Sequence, residues 1–249
     1  MNLSENTIIS FASLHPLREM CIPGANTETG ASDEQPHGEQ QFKLRLVNSE
    51  GRREAASLLI QKMYSWRGYA IDHPLGTEPD KITLAVDAIG ATVGTMTLCF
   101  DTDIGLPADE NFQNELDALR AQGSRLCEPS RLAIDVSAPK RVFAAMIHLA
   151  YLYAHRIHGF TDWVIEVNPR HAIFYKRMLG FCDYGKERIC TRVNAPAVLL
   201  RLELKHMAEK IQQFGGLMEK KHREKSFYPY FFGSRDEQGI TARLKAEEP

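Results

Sequence analysis

The segment from Arg141 to His158 constrains the fold more than any other. It reads as one long, strongly apolar helix ended by Gly159, between strand candidates at Leu126 to Val136 and Trp163 to Val167. Two consecutive strands joined through a helix run parallel, because the crossover returns the chain to the edge it left. A short helix, His171 to Leu179, follows and stops at Gly180. The chain is therefore expected to hold a strand–helix–strand–helix unit within a larger sheet.

The flanking segments supply the rest of that sheet. Phe42 to Val47 alternates as a strand does, and Arg52 to Tyr64 places Ala55, Leu58, Leu59 and Met63 at helical spacing. Trp66 to Leu75 reads as an aromatic loop, and Ile82 to Ala88 and Thr92 to Phe100 as a hairpin turned at Gly90. A loop around Leu106-Pro107-Ala108-Asp109 leads into a polar helix through Leu116 and Leu119, closed by Gly123. Ile189 to Val193 and Val198 to Leu204 read as closing strands.

This order predicts a mixed α/β sandwich over residues 42–205. Residues 1–41 read as a flexible lead-in, because Gly24 to Gln41 is rich in Gly, Ser, Thr, Glu, Pro and Gln. Residues 206–249 read as a helical extension, basic at Lys220, Lys221, Arg223 and Lys225, then aromatic at Phe227, Tyr228, Tyr230, Phe231 and Phe232. Two readings of that extension stay open: a tail packed on the domain, or a surface for a partner or a membrane.

Composition removes several function classes. The formal net charge is −2, against a nucleic-acid binder that must displace counterions with excess Lys and Arg. The five cysteines (Cys21, Cys99, Cys127, Cys182 and Cys190) are odd in number and form no C-x-x-C pair, which fits a reducing, cytoplasmic compartment. Neither they nor the histidines cluster as zinc ligands do, so no metal site is expected. His148 and His155 share a helix face and read as structural. No segment has the roughly 18 apolar residues of a membrane span.

Two short motifs carry chemistry. The first is Glu128-Pro129-Ser130-Arg131-Leu132-Ala133-Ile134-Asp135, ahead of the long helix. The second is Asn168-Pro169-Arg170-His171-Ala172-Ile173-Phe174-Tyr175, closed by Leu179-Gly180-Phe181. Their order resembles the acyl-donor-binding half of the GNAT acyltransferase superfamily. The Glu-x-Ser-Arg-Leu strand, with Leu106-Pro107-Ala108-Asp109, Leu119-Arg120 and Tyr64-x-x-Arg67-Gly68-Tyr69, resembles the bacterial N-acyl amino acid synthases. The acyl-homoserine-lactone synthases are similar more remotely, their N-terminal Arg and Trp pattern being only partly matched by Arg67 and Trp66.

The resemblance implies a GNAT-type fold: a mixed, mostly antiparallel sheet whose two central parallel strands splay apart, flanked by helices. The pantetheine arm of a thioester donor would pair along the exposed edge, with Ser130, Leu132, Ala133 and Ile134 in contact and a backbone N–H facing the oxyanion. The acceptor would be an amine, and Glu128 stands where a base is needed to deprotonate it. Its other reading is a structural ion pair with Arg131 or Arg125. Arg131 is in turn a candidate for holding a substrate carboxylate. Tyr175 is the candidate acid for the leaving thiolate, although it lies five residues before Gly180 where the superfamily motif has four; its other reading is packing. Asn168 either touches substrate or caps the helix after it. Trp66 and Tyr69 would line a tunnel for the acyl chain.

One departure bears on the donor. Acetyl-CoA-dependent members hold the diphosphate with a glycine-rich loop after the splayed strand, and here that place reads Val136-Ser137-Ala138-Pro139-Lys140-Arg141-Val142-Phe143-Ala144. With no glycine, close backbone approach to a diphosphate is disfavoured. The expected donor is the phosphopantetheine arm of acyl carrier protein rather than acyl-CoA, with no permanently bound cofactor. Lys140 and Arg141 would then meet the acidic carrier. The expected activity is transfer of a medium or long fatty acyl chain to an amino acid amine. Homoserine-lactone synthesis and a non-catalytic carrier- or lipid-binding module are the alternatives.

Overall fold

The computed structural model describes residues 7–13, 40–65, 68, 75–218 and 224–246. The strands are β1 (Ile9–Ser13), β2 (Gln40–Leu46), β3 (Lys81–Ala88), β4 (Ala91–Phe100), β5 (Leu126–Ile134), β6 (Asp162–Val167), β7 (Cys182–Cys190) and β8 (Ala195–Glu203). The helices are α1 (Glu50–Ser65), α2 (Asp109–Ala121), α3 (Lys140–Tyr151), α4 (Pro169–Leu179), α5 (Leu204–Phe214) and α6 (Ser234–Ala246). One eight-stranded sheet has the order β1-β2-β3-β4-β5-β6-β8-β7.

Every pairing is antiparallel except β5 with β6, the strands joined through α3. That parallel pair is brief. Only Leu126 with Asp162 and Cys127 with Trp163 are in register, while β5 stays paired with β4 as far as Ile134. Beyond Cys127 the two central strands part, so β5 leaves an edge unpaired within the sheet.

The sheet carries a different core on each face. Leu84, Leu98, Cys127, Trp163 and Leu200 point toward α3. Their strand neighbours Cys99, Leu126, Val164 and Leu199 point toward α2, and Ala133 toward α1. The α3 side is the larger because α3 is apolar all round: Val142 through Tyr151 are all buried. Gly94 on β4 admits the helix, since a Cβ there would stand 2.9 Å from Met146 Sδ. The crossover ends in a π-helical turn, Leu152–Ile157, rather than continuing as one α-helix to His158.

Two expectations need correction, and one of the two open readings of the C-terminal extension is favoured. The N-terminal region is not featureless, because β1 pairs with β2 and sets Ile9 and Phe11 into the core, where Phe11 stacks on Phe42 at 5.6 Å. The strand expected at Ile189 to Val193 lies earlier, at Cys182–Cys190, and Thr191 to Asn194 form the turn, with Asn194 at positive φ. The aromatic cluster after Ser226 is interior: Phe227, Tyr228, Phe231 and Phe232 are buried, and Tyr228 Oη donates to the Leu179 carbonyl at 2.6 Å. Those four side chains are thus not a surface for a membrane. Among the described residues no helix is long and apolar enough to cross one.

Candidate active site at the strand split

Glu128 is the first residue of β5 beyond the last pair with β6. Its side chain shares the α2 face with Leu126, and it is 3% exposed. The Leu106-Pro107-Ala108-Asp109 loop delivers the Ala108 N–H to Glu128 Oε2 at 2.8 Å. Oε1 has no hydrogen-bond partner among the described residues. Burial pushes the carboxyl up to about 8, against the lowering effect of the Ala108 N–H and the Arg192 charge. A carboxyl so placed accepts a proton from an amine near neutral pH, whereas an ordinary glutamate is too weak a base.

The loop that presents Ala108 is held by a fan of carboxylates on Arg120. The guanidinium donates to Asp101 at 2.8 Å, Asp109 at 2.6 Å and Asp117 at 2.7 Å. Asp109 Oδ2 also accepts the Leu106 N–H at 2.6 Å. Burial works to raise the Asp109 pKa, but the Arg120 and Leu106 hydrogen bonds hold it below the usual carboxylate value. The Leu119-Arg120 pair therefore shapes the loop and does not itself reach Glu128.

A second buried carboxylate lies across the split. Glu166 on β6 accepts from Asn111 Nδ2 at 2.7 Å and pairs with the Arg192 guanidinium from the β7–β8 turn. Its side chain is 3% exposed. The start of α2 thus touches both parted strands, through Ala108 on β5 and Asn111 on β6.

The other sequence candidates fall around this centre. Thr95, Met96 and Thr97 on β4 face four residues of β5, because Ala133 pairs with Thr95 and Ser130 with Thr97 while Arg131 and Leu132 bulge opposite Met96. Arg131 has φ of 48°, so the bulge turns the backbone sharply on the unpaired edge. Ser130 Oγ lies 3.5 Å from Cys99 Sγ. Arg131 forms no ion pair with Glu128 and stands within charge range of Glu78. Arg125 instead donates to the Gly159 carbonyl at 3.3 Å. Leu132 and Ile134 are half-buried on the α3 side, and Ala133 is buried beneath α1.

Tyr175 is half-buried on α4, edge-on to Phe174 and Phe181 at 5.3 and 5.9 Å. It packs with the α3-side core, on the face of the sheet opposite to that of Glu128. Asn168 caps α4, its Oδ1 accepting from the Arg170 N–H at 3.2 Å. Lys140 and Arg141 open α3, with Arg141 stacked over Phe11 at 5.4 Å. Trp66 and Tyr69 lie outside the described residues.

Residues 55–203 match the family model for the N-acyl amino acid synthase FeeM. The chain belongs to this family. It is accordingly an N-acyltransferase of GNAT type. The solved structure of FeeM, an N-acyl amino acid synthase from uncultured soil microbes, is 27% identical over 68% of this chain and 94% of its own, with a TM-score of 0.63. The acyl-homoserine-lactone synthase LasI is 13% identical over 66% of this chain and 90% of its own, with a TM-score of 0.45. An acyl-CoA N-acyltransferase from Pseudomonas aeruginosa is 12% identical over 65% and 98%, with a TM-score of 0.47. No curated protein sequence matches. Asn111, Glu166 and Arg192 are the residues of this candidate site that sequence reasoning did not single out. The one signal for them was Glu166, a charge inside the apolar strand Trp163-Val164-Ile165-Glu166-Val167.

Proposed function

We propose that the chain transfers a medium or long fatty acyl group from the phosphopantetheine thioester of acyl carrier protein to the α-amino group of an amino acid. The observation that carries this reading is Glu128: a buried carboxyl at the point where β5 and β6 part, one oxygen fixed by Ala108 and the other without a described partner. In the proposed reaction Glu128 takes a proton from the acceptor ammonium. The freed amine attacks the thioester carbonyl, and a backbone N–H of the Arg131–Ala133 bulge stabilises the oxyanion. The carbon–sulfur bond then breaks, the thiolate leaves with a proton from Tyr175, and the surplus proton on the amide nitrogen passes through solvent to restore the tyrosine.

The donor assignment rests on the loop into α3. Asp135 Oδ1 accepts the Ser137 N–H at 3.0 Å and the Ser137 hydroxyl at 2.7 Å, and Oδ2 pairs with Lys62 at 3.1 Å. The loop's own carboxylate thus occupies the backbone donor that an incoming diphosphate would need. Lys140 and Arg141 beside it favour a docked acidic carrier.

The test is to incubate the purified protein with fatty acyl carrier protein or fatty acyl-CoA and each of the twenty amino acids, with S-adenosylmethionine as a further acceptor. Mass spectrometry should find N-acyl amino acid from the carrier-bound donor. Product from acyl-CoA alone sinks the donor assignment, and a lactone from S-adenosylmethionine sinks the acceptor assignment.

A further inference from the structure

Arg192 is placed by contacts on two elements. Its guanidinium pairs with Glu166 on β6 and stands 3.5 Å from Glu110 on α2, while Thr191 beside it donates to Glu110. Arg188, also on the β7–β8 hairpin, pairs with Glu115 at 2.5 Å and donates to the Asn111 carbonyl. The turn is therefore fastened to the start of α2, the same turn of helix that fixes Glu128 through Ala108. Arg192 and Glu128 lie within charge range of each other on that face.

The guanidinium is engaged but not enclosed. Nε and Nη2 of Arg192 face Glu110 and Glu166, the Cys190 thiol is also within hydrogen-bonding reach, and the side chain is still 39% exposed. A guanidinium held by its neighbours and still partly exposed can take a further carboxylate. An amino acid carries its ammonium and its carboxylate on one shared carbon, which suits a base and a cation that lie within charge range on one face of the sheet.

We infer that Arg192 binds the α-carboxylate of the acceptor, so that the exposed part of its guanidinium and the carboxyl of Glu128 together select an amino acid over a simple amine. This rests on the proposed acyl transfer to amino acids and names the residue that reads the acceptor. Arg131, the arginine suggested by the motif, stands within charge range of Glu78 and does not appear among the charges acting on Glu128.

The experiment compares the best amino acid acceptor of the panel with its decarboxylated amine, acyl carrier protein thioester being the donor. In the wild type kcat/KM should favour the amino acid by about tenfold or more, the worth of a charge-assisted hydrogen bond. Arg192→Lys keeps the ion pair with Glu166 and should lose part of that preference through KM. Arg192→Gln combined with Glu166→Gln leaves no unpaired buried charge and should bring the ratio close to one. A preference retained in the double variant, or lost in Arg131→Gln instead, overturns the inference. Equal loss with both acceptors assigns Arg192 to structure and overturns it as well. Absence of product with every amino acid would instead sink the proposed function itself.

Discussion

The backbone N–H of Ala108 and Oε2 of Glu128 meet at 2.8 Å, a hydrogen bond between a loop and a strand 20 positions apart. It holds one carboxyl oxygen while Oε1 has no hydrogen-bond partner among the described residues. It also explains why a Leu-Pro-Ala-Asp loop far from the motif strand belongs to the same site. Asp109 cannot offer its charge to substrate, because Arg120 and the Leu106 N–H already engage it.

Replacing Glu128 by Gln should separate activity from stability. As the proposed base it must be ionised, so wild-type kcat/KM should rise with pH through about 8. The Gln variant should lose about 10²–10⁴-fold in rate and lack that limb. Stability should move the other way. The folded pKa is raised, so the carboxyl's contribution is fully present below its ordinary 4.5 and lost as pH rises through about 8. Thermal melts at pH 8.5 should show the Gln variant more stable than wild type, with the gap closing toward pH 4.5. Unchanged turnover would remove Glu128 from the mechanism.

Arg120→Lys should damage the site without touching it. Lysine keeps the charge but cannot hold three carboxylates in one planar fan, and the loop bearing Ala108 would loosen. The expected loss is about 1–3 kcal/mol in urea unfolding together with a lower kcat. A variant melting like wild type with normal kcat would show that the fan does not position Ala108.

Local pattern made half of this site legible. The β5–α3–β6–α4 unit could be read because its signals lie within each element: an apolar helix, an alternating strand, and glycines at positive φ such as Gly180 at 87°. Glu128 stood out inside such a strand. Asn111, Glu166 and Arg192 lie on three elements that converge only once α2 crosses the sheet, and no periodicity encodes that. β1 was missed for the same reason. Its five residues gain their partners from β2 and from Phe232, whose ring meets Phe11 at 6.3 Å. The aromatic tail was ambiguous because interior and membrane-facing aromatics look alike until their neighbours are known.

His148 ties the C-terminal helix to α3. Its Nδ1 accepts the Phe232 N–H at 3.0 Å, so the other nitrogen carries the proton and donates to Glu237 on α6 at 2.7 Å. Burial lowers its pKa, although Glu237 pulls the other way. The unfolded chain therefore takes up a proton near the ordinary 6.5 before the folded one does, and stability should fall as pH drops below that value. His148→Leu should abolish this pH dependence and cost about 1–3 kcal/mol for each orphaned partner. A melting temperature equally sensitive to pH 5–7 in the variant would place the titration elsewhere.

Asp135→Asn tests what decides the donor. Burial tends to raise the Asp135 pKa, but Ser137 and Lys62 more than offset it, so the carboxylate stays charged at the entrance to α3. A coenzyme A diphosphate approaching there meets a fixed negative charge and a Ser137 N–H already in use. A carrier-bound arm brings a single phosphate, and its acidic protein can lie farther out against Lys140 and Arg141. Asparagine keeps the acceptor oxygen for Ser137, so the loop should hold its shape while the repulsion disappears. The ratio of kcat/KM for acyl-CoA to that for acyl carrier protein should then rise several-fold. The rise should shrink in high salt, because screening over about 8–10 Å already weakens the wild-type repulsion. If the ratio stays at its wild-type value at both salt concentrations, the Asp135 charge does not discriminate between donors.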